Sequence, residues 1–348
     1  AIDGGGSGGA LTPASVSVRQ QSAYGTADLE PIIVGQSTLL AQRGFTAVRD
    51  LAYSYDVDGY VGNDLTIRAA HLLRGRSLRA WAYQNSPHGI LWCVRDDGVL
   101  LALTYVKEHQ VFAWSRHHTD GVVEDLCVVG SDGRDELYLV VRRSVEGKEH
   151  RYLERMAESY RSDDMPMSRA WYVDCGLRYE GDPVSRLSGL EHLAGREVAV
   201  LADGGPLAGL RVNGDGTLDL PRPASVILAG LPYTGTIRTM RVNAGDASGS
   251  GQGRRQTITR LTLRFRDSVG GEVGWERPGT DGDTLETRWT EIKGRTLQMA
   301  NSPAAPFTGD RTHIPPLGWD TRGQFLLRQS DPLPRTRLCA IPDVVLGG

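Results

Sequence analysis

Residues 90–156 read ILWCVRDDGVLLALTYVKEHQVFAWSRHHTDGVVEDLCVVGSDGRDELYLVVRRSVEGKEHRYLERM. The segment is a run of short apolar strands joined by Gly-containing turns, and it repeats. Its first unit has ILWCVR (90–95), a turn at Asp97-Gly98, VLLALTYV (99–106) and VFAWSRHH (111–118). Its second has VVEDLCVV (122–129), a turn near Asp132-Gly133, ELYLVVRRSV (136–145) and EHRYLERM (149–156). Each unit is three or four antiparallel strands closed by a strand that mixes aromatic and charged residues. Such a unit cannot bury its faces alone and must stack on neighbours, as the blades of a β-propeller do. Repeated blades without obvious chemistry point to an architectural or binding protein before an enzyme.

A third unit lies upstream, IIVGQSTLLAQRGFTAVRDLAYSY (32–55), with a turn at Arg43-Gly44 and a closing strand through Arg49-Asp50-Leu51-Ala52-Tyr53. Three units are too few to close a propeller, which takes about four to eight blades. Either the missing blades lie outside this chain or the ring is open; an open sandwich of repeated hairpins is the alternative architecture. The chain starts at Ala1, and AIDGGGSGGA (1–10) has the composition of a flexible linker, so it reads as the later part of a longer protein.

From these strands outward, the expected fold class is all-β: propeller-like blades followed by a β-sandwich or barrel platform, with few short helices. Residues 1–29 form a linker and lead-in strand, 30–158 the incomplete blades and 159–348 the β-rich platform. One insertion interrupts the blades. Asn63-Asp64 caps a short helix over 64–75 that carries Leu65, Leu72 and Leu73 and stops at Gly75. SLRAWAYQ (77–84) then leads as a strand into the central blade. The polar stretch AESYRSDDMPMS (157–168) marks the domain boundary. Beyond it, strands are expected at 196–203, 210–220, 225–231, 257–267, 284–292 and 324–329, a hairpin turn at Asn213-Gly214-Asp215-Gly216, and one helical turn at 188–195.

Composition sets the outer limits. A chain of 348 residues with 40% apolar residues builds a sizeable core, and its 43 Gly and 17 Pro suit a turn-rich β protein rather than disorder. The formal charge is −3, which argues against wrapping nucleic acid by bulk electrostatics but allows a smooth conduit through which DNA slides. No apolar run approaches the length of a membrane-spanning helix. Four cysteines, Cys93, Cys127, Cys175 and Cys339, form no CxxC pair; Cys93 and Cys127 sit in apolar strand patterns and read as small buried hydrophobes.

Several constellations can be weighed for chemistry. GSGQGRR (249–255) is glycine-rich, but an alternating strand follows it where a phosphate loop needs a helix, so a mobile hairpin loop is the simpler reading. In that strand Leu261, Leu263 and Phe265 share one face and Arg260, Arg264 and Arg266 the other. With Arg254 and Arg255 they make a basic stripe: a subunit-interface or channel-facing surface, a weak phosphate contact, or simply a solvated sheet face. His109, His117 and His118 lie near Glu124 and Asp125, but adjacent strand residues point to opposite faces, so no metal site is expected. Asn213, Asp215 and the turn Asp281-Gly282-Asp283 lack the full calcium-loop pattern, and turn chemistry accounts for them. No G-x-S-x-G elbow and no S-x-D-x-G-x-T-W box is present, and Asp163-Asp164 sits in the linker. For glycan recognition Trp81, Trp92, Trp114 and Trp275 can stack on sugars, although Trp92 and Trp114 alternate with apolar neighbours as strand-core residues do.

Taken together, ILWCVRDDGVLLALTY (90–105), VFAWSRHHTDGVVEDLCVV (111–129), ELYLVVRR (136–143) and RYLERM (151–156) resemble the propeller part of the tail nozzle proteins of short-tailed bacteriophages, also called tail tubular protein B. DCGLRYEGDPVSRLSGLEHLAGREVAVLADG (174–204), RPASVILAGLPYT (222–234) and GQGRRQTITRLTLRF (251–265) resemble that family's β-rich platform. The resemblance runs from about Leu11 to Gly348 and rests on long segments in order, with no catalytic motif. Family members extend further at the N-terminus, so the resemblance is to a C-terminal portion. It implies a homohexameric ring at the distal end of the virion tail, assembled in the host cytoplasm, with no enzyme activity and no cofactor. The implied partners are a tail adaptor or portal-side ring above, tail fibres or a plug below, genomic DNA touched transiently and non-specifically in the lumen, and the host membrane only during infection. Loops 243–256 and 157–168 would contact neighbours or narrow the channel. The alternative function is a glycan-binding or glycan-cleaving propeller of a tail or secreted protein.

Overall fold

The computed structural model describes residues 2–3, 17–18, 20, 22–245, 249–278, 285–292, 305–316 and 318–347. Contacts divide the chain into two compact units, Ala1–Met156 and Ala157–Gly348. The fold is all-β, with antiparallel sheets throughout.

In the first unit, β1 (Ile2–Asp3) pairs with β2 (Ser17–Val18), and three meander sheets follow. Strands β3 (Ile32–Val34), β4 (Ser37–Ala41), β5 (Val48–Ser54) and β6 (Gly59–Asp64) form one. Strands β7 (Leu78–Gln84), β8 (Ile90–Arg95), β9 (Leu100–Val106) and β10 (Val111–His117) form the second. Strands β11 (Val122–Ser131), β12 (Arg134–Val145) and β13 (Lys148–Arg155) form the third.

The two-residue period of a strand sends alternate side chains to opposite faces, and β8 and β9 show what this builds. Leu91, Cys93, Leu101, Leu103 and Tyr105 pack with Leu39 and Val48 of the first sheet. Trp92, Val94, Leu100 and Ala102 pack with Val123, Leu137, Leu139 and Val141 of the third. The middle sheet is thus buried on both faces, and each fully buried leucine contributes about 1.5–3 kcal/mol of apolar transfer. Polar bolts set the order of the stack. Asp50 is fully buried between the first two sheets; it accepts hydrogen bonds from Tyr105 Oη (3.2 Å) and the Asn63 amide (3.1 Å) and faces Lys107 Nζ at 3.4 Å. Asp135 of β12 accepts from the Asn85 and Ser86 amides at 2.7 and 3.0 Å, tying the second sheet to the third. Gly98, at φ +79°, brings the β8–β9 turn so close to β11 that a Cβ there would stand 2.3 Å from Val122 Cγ1; only glycine accepts both the dihedral and the approach.

Two expectations for this unit are corrected. Residues 64–75 do not form an α-helix: β6 runs through Asp64, and the rest is turns with a 3-10 segment at Ala70–Leu72. Leu65, Leu72 and Leu73 still enter the core shared by the first two sheets. An isolated helix this short is marginal, and Asp64 Oδ1 instead takes the Thr66 amide (2.8 Å) and hydroxyl (2.7 Å) into a local turn. Cys127 is exposed rather than buried, because it faces outward from β11 opposite Tyr138; Cys93 is buried, and all four cysteines are free thiols.

In the second unit, β14 (Asp174–Leu187), β15 (Glu197–Ala202), β16 (Gly205–Arg211) and β17 (Leu218–Leu231) make a sheet in the order β14-β17-β15-β16. The turn expected at Asn213–Gly216 is there, closed by Gly216 N–H to Asn213 O at 3.0 Å, but the strands it joins are not neighbours: β15 lies between β16 and β17. One sheet face packs Val198, Val200, Ile227 and Ala229; the other packs Leu201 and Leu228 against Met167, Ala170 and Val173. The remaining strands are β18 (Gly235–Arg238), β19 (Gln256–Ser268), β20 (Glu272–Pro278), β21 (Leu285–Glu291), β22 (Phe307–His313), β23 (Leu326–Gln329) and β24 (Thr336–Leu346). They form sheets β22-β19-β24 and β18-β23-β20-β21. These share one core, with Leu261, Leu263 and Phe265 of β19 against Val273, Trp275 and Leu327, which is the arrangement of a sandwich.

Candidate functional site

Strand β19 separates apolar from charged residues by its period. Opposite the core-facing Leu261, Leu263 and Phe265 stand Arg260, Arg264 and Arg266, all exposed. Each has an aspartate beside it. Arg264 is directly opposite Asp310 of β22 and donates from Nε and Nη2 at 2.7 and 2.9 Å. Arg260 is directly opposite Asp343 of β24 and donates from Nε at 2.6 Å. Arg266 Nε lies 3.9 Å from Asp267 Oδ2. The bidentate partner holds the Asp310 carboxyl below the usual carboxylate range. Arg254 and Arg255 lie in the loop ahead of the strand; Arg254 Nη2 donates to the Gly347 carbonyl at 3.3 Å, and the Arg255 carbonyl accepts from the Gly347 amide at 2.7 Å. The expected stripe is therefore a row of ion pairs, two of them cross-strand and one between chain neighbours, and such exposed pairs stabilise a fold little.

At the N-terminal end of the same strand a cavity of about 390 Å³ opens between Gln256, Trp275 and Glu276 of β20, and the segment carrying Trp319, Asp320 and Gln324. Its outer wall is held by backbone. Gln256 N–H donates to Asp320 O at 2.7 Å, and Asp320 N–H returns to Gln256 O at 3.0 Å. Asp320 Oδ1 accepts from the amides of Arg322 (2.8 Å) and Gly323 (2.7 Å), closing a tight turn. Gly323, at φ +56°, lies against the Gln256 amide; a Cβ there would stand 2.8 Å from Nε2. Gln324 Nε2 donates to Thr239 O at 2.9 Å and Gln256 Nε2 to Val242 O at 3.2 Å. Glu276 receives Arg238 Nη2 at 2.7 Å, with Arg322 Nη1 at 4.0 Å.

Trp275 is 7% exposed and sits between Phe325, 5.9 Å away and tilted, and His313, 6.2 Å away and stacked. Burial pushes the His313 pKa down. Trp319, by contrast, is 52% exposed. Two buried polar atoms of the cavity's lining residues have no hydrogen-bond partner: Gln256 Oε1 and Trp275 Nε1. Buried polar atoms are nearly always paired, and leaving one unpaired costs about 1–3 kcal/mol. Both atoms have essentially no accessible surface, so they lie behind the cavity wall rather than facing it.

Other residues singled out from sequence have local roles. Trp81, Trp92 and Trp114 donate their indole N–H to Glu30 O (2.7 Å), Gln84 Oε1 (3.0 Å) and Leu65 O (2.8 Å). Of the four tryptophans named for sugar stacking, Trp275 alone lines the cavity. His117 packs on Trp92 with ring centroids 5.3 Å apart and lies 3.0 Å from Ser115 Oγ, and burial, followed by the charge of His118, pushes its pKa down. Among the described residues no three His, Cys, Asp or Glu side chains gather as metal ligands. Asp215 Oδ1 accepts from the Thr217 amide (3.0 Å) and hydroxyl (2.6 Å), which is turn chemistry. Asp281, Gly282 and Asp283 lie outside the described residues. Sequence reasoning missed Gln256 and Trp319. The usable signal was PPLGWD (315–320), an aromatic in a Pro-Gly loop with no strand neighbour to pack it.

No protein-family model matches the chain, and no curated protein matches it.

Proposed function

We propose that the chain is a structural subunit of the tail nozzle of a short-tailed bacteriophage, a homohexameric ring that retains the genome and passes it at infection. The observation that carries this reading is the series of stacked meander sheets ending in two unlike open faces. On the first sheet Ile33, Tyr53 and Tyr60 are exposed. On the third, Arg142 and Arg151 both pair with Glu124, Arg142 also with Glu149, and Arg155 with Glu136. An apolar-aromatic face and a charge-laddered face on one subunit suit a head-to-tail contact, which closes into a ring when its rotation closes. The resemblance of the quoted segments to nozzle proteins supplies the ring order and its place in the tail.

The working parts are assembly and gating rather than catalysis, with no cofactor. An adaptor or portal-side ring binds above, and fibres or a plug bind below. If the outer face of β19 lines the channel, its arginines meet DNA already neutralised by Asp310, Asp343 and Asp267, a surface that releases few counterions and lets phosphates slide. The test is cryo-electron microscopy of the purified oligomer or particle. A six-fold ring at the end of a short tail, with DNA density in its bore, is the expected result. A monomer or a trimeric spike overturns the proposal.

A further inference from the structure

The chain is slightly acidic as a whole, but its cations are unevenly placed. Between Asp64 and Asp96 there is no Asp or Glu, and the same stretch holds Arg68, Arg74, Arg76, Arg79 and Arg95. Its first part, residues 65–77, joins β6 to β7 as a lobe of turns with one short 3-10 segment. The lobe has two sides. Leu65, Ala69, Leu72 and Leu73 enter the core shared by the first two sheets. Arg68, His71, Arg74 and Arg76 are exposed to solvent.

Strand β10 adds to this charge. The Trp114 indole N–H donates to Leu65 O at 2.8 Å, which ties the strand to the start of the lobe. Arg116, two residues along and so on the same face as Trp114, is exposed. Arg95 braces the lobe's other end, donating from Nη1 to Leu72 O at 2.8 Å and from Nε and Nη2 to Asp97. Arg76 Nε reaches Asp97 only at 3.6 Å. Among the described residues Arg68, Arg74 and Arg116 have no carboxylate partner. The crowding of positive charge is felt by His118, whose pKa is pushed down by lost hydration first and then by Arg116 and Arg95.

Each feature narrows the ligand. An unpaired guanidinium offers a full charge and a planar pair of N–H donors, the match for a phosphate. Several of them on one lobe suit a repeating anion better than a single one. A lipid surface would attract the same charges, but helices and loops that settle on membranes add apolar anchors. Between Asp64 and Arg79 the one large apolar side chain exposed among the described residues is Ile67.

We propose that this lobe, with Arg116 of β10, binds the phosphodiester backbone of duplex nucleic acid without reading its sequence, through Arg68, Arg74, Arg76 and Arg116. The inference rests on the charge of the first unit and not on the ring proposed above. A chain that binds a duplex as a monomer, or a ring that forms with the lobe inert, separates the two.

The test is fluorescence anisotropy of a labelled duplex of about 20 base pairs, titrated with the full chain between about 50 and 200 mM salt. Light scattering of the same samples records the oligomeric state. The expected result is saturable binding, alike for two unrelated sequences, with log Kobs falling against log salt at a slope of about −4 per chain, as four neutralised phosphates require. The triple variant Arg68→Ala, Arg74→Ala, Arg116→Ala weakens binding by about tenfold or more and brings the slope to about −1, and Arg116→Ala alone removes about one unit of slope. A double variant Arg260→Ala, Arg264→Ala, in the paired row of β19, leaves both quantities unchanged. No saturable binding, a slope unchanged in the triple and single variants, an equal loss in the β19 variant, strong preference for one sequence, or tighter binding to phosphatidylglycerol vesicles than to the duplex overturns the proposal.

Discussion

The outer face of β19 and the cavity at the strand's N-terminal end handle polar groups in opposite ways. The face has three exposed arginines, each beside an aspartate. The cavity has few charges, and its lining includes a buried amide oxygen and a buried indole N–H without partners. In the sequence the face stands out, because arginine alternating with leucine is visible in any strand. In three dimensions the cavity stands out, because an unpartnered buried atom has a free-energy cost that a paired surface charge lacks. The comparison teaches that a run of charge locates a surface, whereas unsatisfied burial locates a cost inside the fold.

Four substitutions break or sharpen that comparison. The largest effect belongs to a group that is both buried and paired. Arg143 is 4% exposed, donates to both oxygens of Glu154 at 2.6 and 2.7 Å, and reaches the Asp120 carbonyl at 2.6 Å. Arg143→Ala strands Glu154, and urea unfolding of the variant is expected to show a loss of about 3–5 kcal/mol. A loss near zero would mean that burial does not decide the strength of these pairs.

Next comes Gln256→Leu, which removes the unpaired oxygen together with the Nε2 bond to Val242 O. The two changes oppose each other, so stability is expected to move by no more than about 1 kcal/mol. A destabilisation of several kcal/mol would show that Oε1 is already satisfied in the folded protein.

A smaller effect follows from His313. Its pKa lies below the ordinary value of about 6.5 because it is partly buried. Below pH 6.5 the unfolded chain takes up the proton first, so stability present above that pH declines as pH falls and levels off under the folded pKa. Urea midpoints at pH 7.5 and 5.5 should drop towards acid in the parent, and by less in His313→Phe. His117 shifts in the same direction, so part of the slope persists in the variant. A midpoint that rises as pH falls would reverse the assignment.

The smallest effect is expected at Arg264, half exposed and paired with Asp310. In Arg264→Ala the unfolding midpoint should match the parent within error. A clear drop would give the row of pairs a structural weight that surface pairs rarely have.

The region of stacked meander sheets was legible because its strands alternate cleanly and its turns carry glycine: ILWCVR and VLLALTYV face two cores at once, which near-continuous apolar strands imply. Strand β6 was not, since GYVGND holds two glycines and little apolar pattern and gains its place from pairing with β5. The helix expected over 64–75 failed for a related reason: Leu65, Leu72 and Leu73 have helical spacing, yet the core takes them equally well from turns. In the second unit the turn at Asn213–Gly216 was readable from four residues, but the insertion of β15 between β16 and β17 depends on contacts far apart in sequence. Strands β14, β20, β22 and β24 were not anticipated, because DCGLRYEGDPVSRL and FTGDRTH are polar on the face they expose. The cavity was half legible. Trp275 drew attention as an aromatic, while the importance of Gln256 comes from what its oxygen lacks, and no sequence pattern encodes that.

The most direct test of the contrast between the paired face and the unpaired buried atoms is a high-resolution crystal structure of the full chain. The account predicts aspartate partners on Arg260 and Arg264 and no protein or water partner on Gln256 Oε1 and Trp275 Nε1. Ordered waters that pair both buried atoms, or arginines turned away from their aspartates, would contradict it.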